Sequence, residues 1–418
     1  MSKVLRVTRN GQGESLGSRQ VQVLPEDLST RIAVIQALIP LGLEAVEDAL
    51  KEEVERLAGP RYVRHLRTPG HVRWSKECGA VYLLDQKVPI AYQRVRDQRR
   101  NTDVPLATYH ALQHPRAMDE GLLRRVLLGL SCRRYRECAE AIPQAFGLSA
   151  SSVSRRFIRA SARKLRALQE RRLAGYDLVA LVLDGKTCAD DAMVIALGVT
   201  LSGQKVVLGF VQTATENTAV CAAFLRELVA RGLRAADGLL IVIDGSPGLR
   251  QAVQDVFGET AQIQRCQWHK RENVVSYLPK RQQATWRAKL QQAYEQPTYA
   301  EAKAALDRLH RDLRPLNESA ARSLQEGLHE TLTLHRLGVF ADLGLSLKTT
   351  NVLESIMAQI EARVGKVDRW QNSQQKQRWL ATALLDIEPR LRRLRGYRAL
   401  PTLRMALQQA MRKEVTAA

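Results

Sequence analysis

No stretch of this 418-residue chain is long and apolar enough to cross a membrane, and its first residues, MSKVLRVTRNGQGES, lack the apolar centre of a secretory signal. The expectation is a soluble, cytoplasmic protein. Cysteine is sparse, and Cys78, Cys132, Cys138, Cys188, Cys221 and Cys266 lie scattered without paired spacing. This argues against a disulfide framework and suits a reducing compartment, where a lone cysteine packs as a small hydrophobe. No low-complexity run and no internal repeat is present. Acid is also in short supply: 43 Asp and Glu against 64 Lys and Arg leave a formal net charge of +21. With a pI of about 10.1, the chain calls for a polyanionic partner, nucleic acid first.

Hydrophobic residues make up 45% of the chain, enough for a sizeable core. At roughly 150 residues per domain, two to four domains are expected. Residues 1–60 form an N-terminal helical module in which Ile32, Ile35, Leu38, Val46, Leu50, Val54 and Leu57 recur at helical spacing. Residues 61–105 alternate like strands and carry ten Lys or Arg between Arg61 and Arg100, against Glu77, Asp85 and Asp97. This basic β-ribbon offers Arg94, Arg96, Arg99 and Arg100 to phosphates, with an ordinary solvated hairpin as the alternative.

Residues 106–175 have the form of a helix-turn-helix region: CRRYRECAEAIPQ as one helix, FGLS as the turn, SASSVSRRFIRASARKLRAL as the second. Ser149 or Ser151 caps the second helix, Val153, Phe157 and Ala160 face inward, and Ser152, Ser154, Arg155, Arg156 and Arg159 face outward toward DNA. A three-helix bundle with a basic outer face has the same pattern.

Residues 176–282 carry three successive strands, VALVLDG, MVIALGVTL and KVVLGFVQ, the last two joined by a tight turn at SGQ. An amphipathic helix, the strand LLIVIDGS, a helix opened by Ser246 and Pro247, and the strand AQIQRCQW follow, so the expected fold is α/β with a mixed sheet. Residues 283–340 read as an all-helical insertion, 341–388 as the return to the core with Glu354, and 389–418 as a basic tail, either a solvated helix face or a backbone-tracking arm.

Asp184 and Asp244 each close an apolar strand, where ligands gather in an open α/β sheet. Each precedes a glycine that lets the backbone bend away. Paired carboxylates repel, and a bound cation keeps both ionised; the plain alternative is that each Asp-Gly begins a turn. Glu354 also fits a capping box with Asn351, a folding device that needs no metal. Asp190 and Asp191 suit a turn between strands. Cys266 and His269 make half of a zinc site, for which the packed reading is a buried thiol with a hydrogen-bonding histidine. His269, Lys270 and Arg271 are candidates for phosphate contact, and Trp370, Trp379 and Arg378 for stacking on an unpaired base or for core packing.

Together LVLDGKT, LLIVIDGSPGL, RCQWHKRENVVSYLP and SLKTTNVLESI resemble the transposases of bacterial insertion sequences related to the eukaryotic Mutator elements. The spacings of 60 residues from Asp184 to Asp244 and 110 from Asp244 to Glu354 fit that family, as do its helical insertion and its signature pair Cys266 and His269. The resemblance covers roughly residues 60 to 400. It implies a ribonuclease-H-like, retroviral-integrase-like core with Asp184, Asp244 and Glu354 as a DDE triad. It also implies two Mg2+ ions about 4 Å apart, with Mn2+ able to substitute. The implied reaction is cleavage at terminal inverted repeats and joining of the 3′-hydroxyl to target DNA, often through a circular intermediate made by copying out. The implied assembly is at least a homodimer on nucleoid DNA. One position departs: where the family usually has asparagine soon after Glu-Ser, this chain has Met357. A catalytically inactive DNA-binding regulator and a structure-specific nuclease of the same fold are the rival functions.

Overall fold

A computed structural model describes residues 28–62, 70–83, 86–113, 116–132, 146–147, 149–188, 191–213 and 217–417. The chain divides into two units, Met1–Val126 with Leu130–Phe157, and Leu127–Gly129 with Ile158–Ala418.

The first unit opens with α1 (Leu28–Ala58), which buries Val46, Leu50, Val54 and Ala58 at intervals of one helical turn. They meet Val81, Ile90 and Val95 of an antiparallel ribbon, β1 (His71–Leu83) with β2 (Gln86–Asp97). The expected ribbon is therefore present, and β3 (Thr102–Val104) extends it. Next come α2 (Ala107–Gln113), α3 (Arg116–Leu127), the two-residue β4 (Phe146–Gly147) and α4 (Ala150–Gln169). Most of the first helix of the expected helix-turn-helix lies outside the described residues. Its turn is different from the expectation: Phe146 and Gly147 pair with Lys87 and Gln86 of β2, so ribbon pairing satisfies their backbone groups.

The second unit is built on a five-stranded mixed sheet of order β7-β6-β5-β8-β9, comprising β5 (Leu178–Cys188), β6 (Asp191–Thr200), β7 (Lys205–Thr213), β8 (Leu239–Ile243) and β9 (Ala261–Arg265). The first three pair antiparallel, with Gly203 (φ 83°) in the expected turn, while β8 and β9 add in parallel. Both faces are covered, which explains the unbroken apolar runs. α5 (Thr218–Ala230) and α6 (Pro247–Phe257) pack Phe224, Leu225, Leu228, Leu249 and Val253 on Leu181, Leu183, Ile241 and Ile243. Side chains alternate along a strand, so Asp184 belongs to the opposite face.

Four helices leave the sheet after β9: α7 (Gln267–Ser276), α8 (Lys280–Tyr294), α9 (Tyr299–Leu313) and α10 (Glu318–Gln325). They close a separate core of Val274, Trp286, Leu290, Leu306, Leu313 and Leu324. Two single turns, Leu328–Thr331 and Thr333–Arg336, then lead to α11 (Phe340–Leu347). Among the described residues the helical segment is thus wider than 283–340 and has no strand. The chain returns to the sheet as α12 (Asn351–Val364) and α13 (Ser373–Ile387).

The basic tail is a docked helix, not a free arm. In α14 (Leu400–Ala417), Leu400, Leu403 and Leu407 are wholly buried, and Arg404 donates to the Leu178 carbonyl (2.8 Å) and the Asp177 carboxylate. A leucine stripe one turn apart outweighed the charge that suggested an arm. No described helix is long and apolar enough to cross a membrane.

One buried acid ties the first unit together. Glu53 of α1 accepts from the amides of Ala107 (2.7 Å) and Thr108 (2.9 Å) at the start of α2. Burial alone would raise its pKa, but these amides, helped by Arg56, hold it below the ordinary 4.5. Its stabilisation is therefore complete above the unfolded value and lost as pH falls through the lower folded one. Glu53→Gln is expected to cost about 2 kcal/mol near neutral pH and much less in acid, measured by urea unfolding across that range.

Candidate active site

The site begins with strand register. Ala180, Leu181 and Val182 of β5 lie beside Leu240, Ile241 and Val242 of β8, and Asp184 and Asp244 each follow the pair Val182 and Val242 by two residues. The two positions differ locally. β8 ends at Ile243, and Asp244 opens a loop in which its carboxylate accepts from the Ser246 amide (2.9 Å). Gly245 has φ 106°, and Ser246 and Pro247 start α6 as expected. Asp184, by contrast, does not close its strand: Gly185 pairs with Val194 and β5 continues to Cys188, because β6 satisfies its backbone to the end. Asp184 is consequently only 6% exposed.

The third acid arrives from far along the chain. The Cys266 amide donates to Ile243 O (2.7 Å), which sets the start of α7 beside Asp244. The Gln267 amide donates to Lys348 O (2.9 Å), and Thr350 Oγ1 donates to Cys266 Sγ (3.8 Å). This stitching fixes where α12 starts. Thr350, not Asn351, is the residue before the first turn, so Glu354 is the fourth helical residue and Leu353 the third. The capping box with Asn351 does not form, and the half-buried Glu354 carboxylate is left for other work.

Asp184 feels the charge of both other acids. Burial, and then the Asp244 charge, push Asp184 from 3.8 up to about 7; Glu354 adds to the rise, while His269 and the Thr350 hydroxyl oppose it. His269 is half-buried, with Nδ1 lacking a hydrogen bond and Trp268 edge-on at 4.8 Å. Cys266 is fully buried and its thiol is pushed up by burial, in keeping with the packed reading. Among the described residues no three His, Cys, Asp or Glu side chains already stand at metal-holding distance. As a donor set, however, Asp184 and the two carboxylates whose charges raise its proton affinity suit a hard divalent cation. A cavity of about 520 Å³, lined by Gln262, Tyr299, His329 and Arg336 among others, includes none of these groups.

The candidate DNA contacts sort by exposure. In α4, Ser149 accepts from the Ser152 amide (3.3 Å) as a cap, and Val153, Phe157 and Ala160 are buried as expected. Arg155 and Arg159 are exposed, and Ser152 and Ser154 half-buried. Arg156 does not face outward: it is buried, with its guanidinium 4.3 Å from the Tyr82 ring centre. On the ribbon, Arg94 is engaged by Glu77 and Asp103, and Arg96 by Asn101 and the Trp74 ring. Arg99 and Arg100 remain exposed. Asp191 pairs with Lys376 as a structural acid, and Trp379 is core, edge-on to Trp370 at 6.3 Å. Arg378 is half-buried, and burial holds its pKa down. Sequence reasoning missed Thr350, whose signal is the hydroxyl-rich KTTN ahead of the acid, and Arg265, which nothing local marks.

Residues 104–392 match the family described as Transposase, Mutator family. The chain is 27% identical over 382 residues to the transposase for insertion sequence element IS406 of Burkholderia multivorans, covering 85% of this chain and 94% of that one. It is 29% identical over 276 residues to the transposase for IS6120 of Mycolicibacterium smegmatis, covering 64% and 83%. To the transposase for IST2 of Acidithiobacillus ferrooxidans it is 32% identical over 179 residues, 42% of this chain and 59% of that one.

The raised Asp184 fixes a pH dependence. A carboxyl whose folded pKa lies above its unfolded value contributes stability below the unfolded value and loses it as pH rises through the folded one, here from about 4 to about 7. In metal-free protein, Asp184→Asn is expected to flatten the fall in melting temperature across that interval. An unchanged pH profile would mean that Asp184 ionises normally.

Proposed function

The chain belongs to the Mutator family of transposases, matched over residues 104–392, and we propose from this that it binds the terminal inverted repeats of an insertion sequence and performs metal-dependent DNA cleavage and strand transfer at Asp184, Asp244 and Glu354. The observation that carries the reading is that Asp184 and Asp244 each follow the registered pair Val182 and Val242 by two residues, and that the charges of Asp244 and Glu354 both raise the proton affinity of Asp184. A mixed sheet interrupted by a helical segment supports a ribonuclease-H-like core.

Magnesium, or manganese in its place, would be held by the three carboxylates and supply the charge that makes a water or a 3′-hydroxyl nucleophilic and stabilises the departing oxygen. The protein's own part is largely positioning. The Ser246 amide orients Asp244, the strand interior fixes Asp184, and Thr350 sets the start of the helix that carries Glu354. Burial around Asp184 keeps bulk water from screening the site. In-line phosphoryl chemistry of this kind needs no covalent protein intermediate. The net charge of +21 supplies sequence-independent affinity, with exposed Arg99, Arg100, Arg155 and Arg159 as phosphate contacts. Bringing two ends together calls for a homodimer or larger assembly.

A strand-transfer assay with Mg2+ and DNA carrying the element's ends tests this. Wild type is expected to give joined products, and Asp184→Ala and Glu354→Ala each to lose several kcal/mol of transition-state stabilisation, about a hundredfold or more in rate. Binding of the ends without cleavage or joining would make the chain a DNA-binding regulator. Cutting of branched DNA without joining would make it a nuclease.

A further inference from the structure

Arg265, the last residue of β9, pairs in register with Ile243, and its side chain is 5% exposed. It crosses the loop that follows Asp244 so closely that a methyl group on Gly245 would lie 2.1 Å from its Nε and 2.7 Å from its Cζ. The other end of the guanidinium reaches the helical segment. Nη1 donates to Glu326 Oε1 (3.1 Å) and to Glu326 O (3.3 Å), and Nη2 to Glu326 Oε2 (3.4 Å). A second glycine lies there too: a methyl on Gly327, which has φ 62°, would come 2.6 Å from Nη1. The guanidinium is thus held between two glycine backbones, one beside a candidate catalytic acid and one in the helical segment.

Two further contacts bind the same turn. Lys270, fully buried, donates to the Glu326 carbonyl and to Oε2 (3.3 Å), so two cations share one carboxylate. Glu330, four residues on, pairs with Arg250 of α6, the helix that continues from the Asp244 loop. A cation pair of this kind is expensive to bury and is a poor device for stability alone. Its geometry is suited to holding a loop in one place.

We propose that Arg265 and Glu326 are positioning residues, a clamp through which the helical segment fixes the Asp244–Gly245 loop and so the Asp244 carboxylate relative to Asp184. The catalytic consequence rests on the function proposed above; the clamp itself does not. The helical segment then serves the chemistry through an interior contact, whatever its outer surface binds.

The test uses the full chain and the variants Glu326→Gln, Arg265→Lys and Gly245→Ala, with Arg287→Gln, which breaks the ion pair to Glu272 elsewhere in the helical segment, as control. Amide exchange of residues 244–250 reads the loop directly, and calorimetric titration with Mn2+ reads the site without turnover. For Glu326→Gln and Arg265→Lys, expected outcomes are faster exchange confined to that loop and an Mn2+ affinity about tenfold weaker, with end-DNA binding unchanged and the control like wild type. Gly245→Ala, which removes the space for the guanidinium, should match them if it folds; the two conservative variants decide the question if it does not. Exchange and Mn2+ affinity unchanged in folded Glu326→Gln and Arg265→Lys would overturn the clamp. If the loop loosens as expected while wild type itself binds no Mn2+, the clamp stands and the metal-dependent function fails.

Discussion

The parallel pairing of β5 with β8 is the constraint on which the site depends. Because Val182 sits beside Val242, the chain delivers Asp184 and Asp244 two residues further along neighbouring strands, and a shift of one residue in that register would turn the apolar face of one strand away from α5 and α6. The register is secured by burial: Leu181, Leu183, Ile241 and Ile243 fill the core beneath those helices, where no polar residue could take their place cheaply. The same alternation that builds the core therefore turns Asp184 to the other face.

Putting carboxylates together works against folding. Asp184 pays for its neighbours in proton affinity, pushed up to about 7 by burial and the nearby charges, and a divalent cation would reverse that effect. The surroundings hold the arrangement in place. Cys266 continues from β9 along Ile243, the Lys348–Thr350 segment bonds to Cys266 and Gln267, and Arg265 spans from the Asp244 loop to Glu326. Cys266 and His269 also have a physical role: the cysteine is the buried point where strand, helix and returning chain meet, and the histidine opposes the negative field on Asp184.

Much of this was legible in the sequence for identifiable reasons. Strands covered on both faces read as apolar runs, so LVALVL and LLIVI marked β5 and β8 and their acids. The ribbon, the Ser149 cap and the inward face of α4 followed from alternation and helical spacing. What failed depended on partners distant in the chain. Arg156 looks solvent-facing on α4 until Tyr82 of the ribbon is placed against it, and the choice left open for the tail, helix face or arm, is made only when its leucines find the sheet. The capping box expected at Asn351 failed on a one-residue difference in where α12 begins, a start set by hydrogen bonds to Cys266 and Gln267. No local pattern could reveal Arg265, whose meaning lies in two glycines it touches on other segments.

In the function proposed above, three acids from separate parts of the chain form one metal-dependent centre. Anomalous diffraction from crystals of the protein with end DNA and Mn2+ tests it most directly. Manganese peaks bounded by the carboxylates of Asp184, Asp244 and Glu354 are expected. Peaks elsewhere, or a Glu354 carboxylate turned away to hydrogen bonds at its own helix end, would contradict it.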